Sequence, residues 1–224
     1  MLTGTNPGSK VLSTCYFEDR AQLQEELFRC VGTCNDYLQM SGNDVYCQVP
    51  WDKTSPWTSG TGAGCAHSKY GTSMSDWDVS RVTSMYAMFQ SAAAFNQPLN
   101  EWDVSRVTTM EEMFSGANLF NQELNNWTVS NVTTMQRMFR GATAFNNDLS
   151  PWDVGRVTQM GYMFFTAPSF NQDLTRWDVG NVTTMQSMFG MASDFHQVLC
   201  GSKWTRDATT RTDMLTGTNP GSKV

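Results

Sequence analysis

The sequence has little to do chemistry with. Histidine occurs only as His67 and His196, and a Ser-His-Asp or Cys-His device needs such a base. Positive charge is sparse. Lys and Arg total 15 against 21 Asp and Glu, for a net charge of −6 with no basic cluster, which excludes nucleic acid as a partner. No apolar run approaches a membrane span. The first residues are polar and Gly/Pro-rich, not a basic start followed by an apolar core, so they do not read as a signal peptide.

Cysteine is present but unevenly placed. Five of the six, Cys15, Cys30, Cys34, Cys47 and Cys65, lie ahead of the first tryptophan of the repeats, Trp77, and the sixth is Cys200. An even, clustered set suggests disulfides and an oxidising compartment. Zinc is the rival. It is weaker because there is no CxxC pair and His67 is the only histidine nearby. The pairing among the six stays open.

From residue 71 the chain repeats. Trp77, Trp102, Trp127, Trp152 and Trp177 recur at one constant interval of twenty-five positions, a period that signals a solenoid or repeat array. Phe95, Phe120, Phe145, Phe170 and Phe195 form a second column. Val107, Met110, Met113, Phe114 and Ala117 follow a spacing of three and four, one face of a short helix. Thr108 with Glu111 reads as a capping box, repeated by Thr133 with Gln136 and Thr183 with Gln186. Phe120, Gln122 and Leu124 alternate with Asn121 and Glu123 and suggest a short strand. A lone coil of this kind cannot bury its apolar face, so the coils must stack, like on like. Methionine is plentiful, 15 in all, and those of the repeats sit at core spacing and read as packing, not as a binding groove. Asn96, Asn121, Asn146 and Asn171 form a column that ends in His196. Amides there can satisfy backbone groups on neighbouring coils, and His196 reads as a structural hydrogen-bonding group, not a base.

The pattern W-D-V-S-x-V-T-x-M-x-x-M-F-x-x-A-x-x-F-N-Q-x-L, carried by residues 77–200, resembles the bacterial-surface-protein repeat family, the BspA-like variant of leucine-rich repeats. The resemblance implies an extracellular or cell-surface location, a role in adhesion or binding, and no catalytic residues. It also implies a leucine-rich-repeat-like right-handed coil. The "LC" ending at Cys200 is similar to the last repeat of secreted algal members, but no second cysteine follows before residue 224. The expected fold is therefore an α/β solenoid of short helix plus short strand, with a small Cys-rich N-terminal module.

Residues 1–11, "MLTGTNPGSKV", recur unchanged at 214–224. "VTTMEEMFSGA" at 107–117 aligns with "ATTRTDMLTGT" at 208–218, so Met214, Leu215 and Gly217 read as the back half of a degenerate sixth coil. The simplest reading is one unit of a tandem array, the unit being the offset between the two copies. Residues 1–11 are then the tail of the preceding unit, and 12–70 a Cys-rich module and N-terminal cap. Residues 71–200 carry five repeats, and 201–224 the degenerate sixth coil and junction. Cys200 would lie twenty-eight positions before the next unit's Cys15, close enough to staple the junction.

Asn126, Asn131 and Asn181 head Asn-X-Thr sequons and are the glycosylation candidates. The Asp column of residues 78, 103, 153 and 178 is interrupted at Thr128, and one carboxylate per coil is too few for calcium. Turn stabilisation is the better account of it. An ice-binding reading of the threonine columns yields to the capping box. No metal, cofactor or catalytic residue is expected. Head-to-tail units that do not close give filaments, so the expected function is a non-enzymatic extracellular fibre or surface appendage whose partners are copies of itself. The alternative is an adhesion module that binds a glycan or protein on its solenoid face.

Overall fold

The computed structural model describes residues 15–16, 38–41, 44–47, 75, 77–200, 204 and 211–223. Four short strands occur among them: β1 (Cys15–Tyr16), β2 (Leu38–Ser41), β3 (Asp44–Cys47) and β4 (Trp77–Asp78). β2 and β3 form an antiparallel pair, and β1 pairs in parallel with β4, Cys15 opposite Trp77. From Trp77 onward the chain winds in stacked coils, one sequence repeat to a coil. Parallel bridges link Ser84 to Thr109, Thr109 to Thr134, Thr134 to Gln159 and Gln159 to Thr184.

The coil contains no α-helix among the described residues, and its hydrogen bonds give the reason. In the second coil the amides of Met110, Glu112, Phe114 and Gly116 donate forward to the carbonyls of Thr134, Gln136, Met138 and Arg140, at 2.7–3.1 Å. The intervening amides of Met113, Ser115 and Ala117 donate back three residues, to Met110, Glu112 and Phe114, at 3.0–3.2 Å. The carbonyls of Thr109, Glu111, Met113 and Ser115 accept from the first coil. From Met110 to Ala117 four amides are thus committed to a neighbouring coil, three to three-residue turns and one, that of Glu111, to the Thr109 hydroxyl, leaving none for the four-residue bond of an α-helix. The backbone enforces this. Residues in one column, Ala87, Glu112, Arg137, Tyr162, Ser187 and Asp213, have positive φ, as do Ser91, Gly116, Gly141, Thr166, Met191 and Gly217 four residues on. Left-handed residues cannot continue a right-handed helix.

The α/β solenoid with a leucine-rich-repeat-like helix and strand is therefore corrected. Successive three-residue turns place apolar residues three and four apart just as a helix does, so the spacing misleads. The capping boxes are corrected too. Thr108 Oγ1 donates to the Thr83 carbonyl of the preceding coil at 3.0 Å, and Thr133, Thr158 and Thr183 continue the column at 2.9–3.1 Å. The strand expected around Phe120–Leu124 is absent. Phe120 and Leu124 are both buried, a spacing of four. The Asn121 amide is taken by a side chain, Asn96 Oδ1, at 2.9 Å.

The core is a set of columns. Phe114, Phe139 and Phe164 stack at 5.5–5.6 Å between ring centroids, and Phe139 lies 4.0 Å from Phe145. Trp127, Trp152 and Trp177 stack at 6.2–6.4 Å. Each of these tryptophans is held in register by its indole N–H, which donates to the carbonyl of Leu99, Leu124 or Leu149 at 2.8–2.9 Å. Every aromatic ring buried in this way contributes about 2–3 kcal/mol, and each coil completes that burial against its neighbours.

The ladder does not stop at the fifth coil. The amides of Ser187, Phe189, Met191 and Leu199 donate to the carbonyls of Thr212, Met214, Thr216 and Lys223 at 2.7–3.0 Å. Val198 bridges Lys223 in parallel, and Met214 is buried.

Candidate functional site: the exposed columns

The core tryptophans and phenylalanines singled out from the sequence are interior. Trp102, Trp127, Trp152, Trp177, Phe95, Phe120, Phe145, Phe170 and Phe195 are all buried. Trp77 contributes its backbone to β4, and its side chain lies outside the described residues. What the molecule offers to its surroundings is a set of polar columns.

The asparagine column is the most continuous. Asn96 Oδ1 accepts from the Asn121 amide, Asn121 Oδ1 from Asn146, Asn146 Oδ1 from Asn171 and Asn171 Oδ1 from His196, all at 2.9–3.0 Å. Gln122, Gln172 and Gln197 add side-chain donations to the Asn96, Asn146 and Asn171 oxygens. His196 closes the column. Its ring lies between the Asp194 carbonyl, 2.9 Å from Nδ1, and Asn171 Nδ2, 3.2 Å from Nε2. Donation from Nδ1 and acceptance at Nε2 satisfies both contacts. His67 lies outside the described residues.

The Asp column makes turns. Asp78, Asp103, Asp153 and Asp178 each accept from the amide two residues on, at 3.0–3.1 Å. Among the described residues no three His, Cys, Asp or Glu side chains are grouped to hold a metal ion. Asn126, Asn131 and Asn181 are all exposed. Two of the three use their amide nitrogen: Asn131 Nδ2 donates to Ser105 O at 2.8 Å and Asn181 Nδ2 to Gly155 O at 2.7 Å. Arg156 then donates to Asn131 Oδ1 at 3.0 Å.

Cys200 is an exposed free thiol within the unit; the disulfide expected of it reaches the next unit's Cys15. Its Sγ lies 3.6 Å from the Val198 carbonyl, where the edge of the last full repeat carries it outward. No disulfide occurs among the described residues. The expectation for Cys30, Cys34 and Cys65 falls outside them, as do the side chains of Cys15 and Cys47.

One arc of each coil departs from the repeat. At the positions of Glu111 and Glu112 the next coils carry Gln136 and Arg137, then Gly161 and Tyr162. Arg137 Nη1 lies 3.1 Å from Glu112 Oε1 and 3.9 Å from Glu111 Oε1, and Gln90 donates to Glu112 Oε2 at 2.6 Å. Arg137 also faces the Tyr162 ring at 5.8 Å, and Arg140 the Phe165 ring at 6.0 Å. Burial pushes the Glu111 carboxyl up, with Glu112 adding repulsion and Arg137 opposing. Asp173 is held below the usual range by the Thr175 amide.

Two features of these surfaces have no plain sequence signal. The positive-φ column at 87, 112, 137, 162, 187 and 213 contains no glycine. The indole-to-leucine bonds do not follow the repeat interval but reach three positions further, as from Trp127 to Leu99. A second amide contact was visible in principle from Asn100 and Asn125: Asn100 donates to Asn125 Oδ1 at 3.0 Å.

No curated protein and no solved structure matches the chain. One family model does, over residues 63–139 and again over 122–222. These matches run through the whole ladder and past the 77–200 stretch on which the BspA-like resemblance rested. They give that resemblance no support, and the helix-free coil removes its structural basis, so it is set aside together with the leucine-rich-repeat description. The chain belongs to the family described as "Mycoplasma protein of unknown function, DUF285".

Proposed function

We propose that this chain is a non-catalytic unit of a tandem array that builds an extracellular fibre or surface appendage, with copies of itself as its principal partners. The observation that carries this reading is the seat of residues 214–223. This stretch packs on the fifth coil as an integral part of the ladder, and its sequence is the one that also opens the chain. A segment that completes one ladder and stands immediately before the next unit's residues is what a junction requires. The exposed columns support the same reading: their polar groups bond along the ladder axis, which stiffens a rod. A non-reducing tryptic mass map of native material tests it. The expected product is "TDMLTGTNPGSKVLSTCYFEDR", with one missed cleavage, joining Thr212 to the next unit's Arg20. A native chain that ends at Val224 and starts with a free Met1 amine would overturn the array.

A second reading, an adhesion module for a glycan or protein, draws on the non-repeating arc around Arg137, Arg140, Tyr162 and Phe165. A varied surface on a repeating scaffold is the usual arrangement of a binding face. Alanine at Arg137 and Arg140 should abolish adhesion without altering the ladder if that reading holds.

A further inference from the structure

The two ends of the ladder are each joined by a stretch that is continuous in a tandem chain. At one end Lys223 bridges Val198. At the other, Cys15 of β1 sits in parallel register with Trp77 of β4. In a tandem chain the next unit's Cys15 follows Lys223 by five positions, because residues 214–224 and 1–11 are the same sequence. Five residues reach at most roughly 17 Å. The sixth coil of one unit and the β4 edge of the next must therefore abut, with no room for a spacer.

The register agrees. Within the ladder, the position of Glu123, Asp148 or Asp173 is followed four positions later by its tryptophan, Trp127, Trp152 or Trp177, and Val198 is followed six later by Trp204. The interval from Lys223 to the next Cys15 is five. That interval lies between the two seen within the ladder, and Cys15 is also the residue that pairs with Trp77, which together assign it the tryptophan position of the coil that Lys223 belongs to.

We propose, resting on the tandem reading above, that consecutive units fuse in register into one unbroken ladder. The eleven-residue segment lies in the coil shared across the junction. Tryptophan-position residues then recur at 15, 77, 102, 127, 152, 177 and 204 before the next 15, seven coils per unit. At a strand-like spacing of about 4.8 Å per coil, each unit adds roughly 34 Å of rod.

The test is a two-unit chain, residues 1–224 followed directly by a second 12–224, compared by small-angle X-ray scattering with the one-unit chain. A variant with a dozen Gly/Ser residues inserted after Val224 serves as control. The expected result is a single stiff rod, longer than one unit by about 34 Å at the strand-like rise per coil, which the insertion converts to two independently oriented bodies. A two-unit chain whose scattering matches that of the insertion variant would overturn the fusion. This outcome is distinct from that of the native mass map, which bears on the array alone: the array can stand while the fusion falls.

Discussion

Replacing Asn146 separates two accounts of the asparagine column. Asn146 Oδ1 accepts from the Asn171 amide and from Gln172 Nε2, both at 2.9 Å, while the Asn146 carbonyl separately accepts from Gln172 at 2.8 Å. Asn146 Nδ2 takes part in none of these bonds. Asn146→Ala removes the oxygen and strands the Asn171 amide. A net hydrogen bond is worth about 1 kcal/mol, and a fully sealed orphan group up to about 3 kcal/mol. Asn146 is exposed and Asn171 half-buried, so water can reach the orphan and the cost should fall near the lower figure. For a domain of this size, about 1 kcal/mol lowers Tm by roughly 2–4 °C. Asn146→Asp keeps the oxygen and makes the bond charge-assisted, so at pH 7 its Tm should stay within about 1 °C of the parent, taking the same scaling. Scanning calorimetry of the three proteins at pH 7 decides it. Equal losses for Ala and Asp, or no loss for Ala, would refute the claim that the side-chain oxygen joins the coils.

Trp152→Phe removes an indole bond to Leu124 O at 2.9 Å, whereas the buried Trp204 Nε1 has no partner among the described residues. Chemical denaturation should therefore show Trp152→Phe costing about 1 kcal/mol more than Trp204→Phe. Gly141 has φ +71°, and a would-be Cβ would sit in ordinary van der Waals contact, its nearest heavy atom 3.7 Å away. Gly141→Ala should cost about 1–2 kcal/mol from backbone strain alone, read in the same assay. Glu111 has a raised folded-state pKa, so its contribution to stability is full below the usual carboxyl value and is lost as pH rises through the raised one. Glu111→Gln should accordingly stabilise the protein at pH 7, by about 0.5 kcal/mol or less since the group is only half-buried. It should also flatten the stability–pH curve above about pH 4.5.

The period was legible in the sequence because tryptophan, phenylalanine and methionine recur at a fixed spacing, and equal spacing in a stack means contact between like residues. The conformation of the coil was not. Val107, Met110, Met113, Phe114 and Ala117 fit a helix and a succession of three-residue turns equally well. What separates the two is the left-handed backbone at Glu112 and Arg137, and neither residue announces it. Of that pair of columns only Gly116, Gly141 and Gly217 carry the residue type such a backbone favours. The threonines misled for a related reason: a hydroxyl that caps a helix and one that reaches the carbonyl of the same position in the preceding coil, as Thr108 reaches Thr83, look alike in sequence. The candidate surface was partly legible. The Asn column shows its period, but the link from Arg156 to Asn131 depends on one coil having Arg where the preceding one has Asn.

The proposed rod depends on amides in the turn-rich arc bonding to the next coil and not within a helix. The most direct measurement is the NMR coupling transmitted across the hydrogen bond from the Phe139 amide nitrogen. The structure predicts a coupling to the carbonyl carbon of Met163 in the next coil, with Phe139 N to Met163 O at 2.9 Å. A coupling instead to the carbonyl of Met135, four residues back, would identify an α-helix and contradict the ladder.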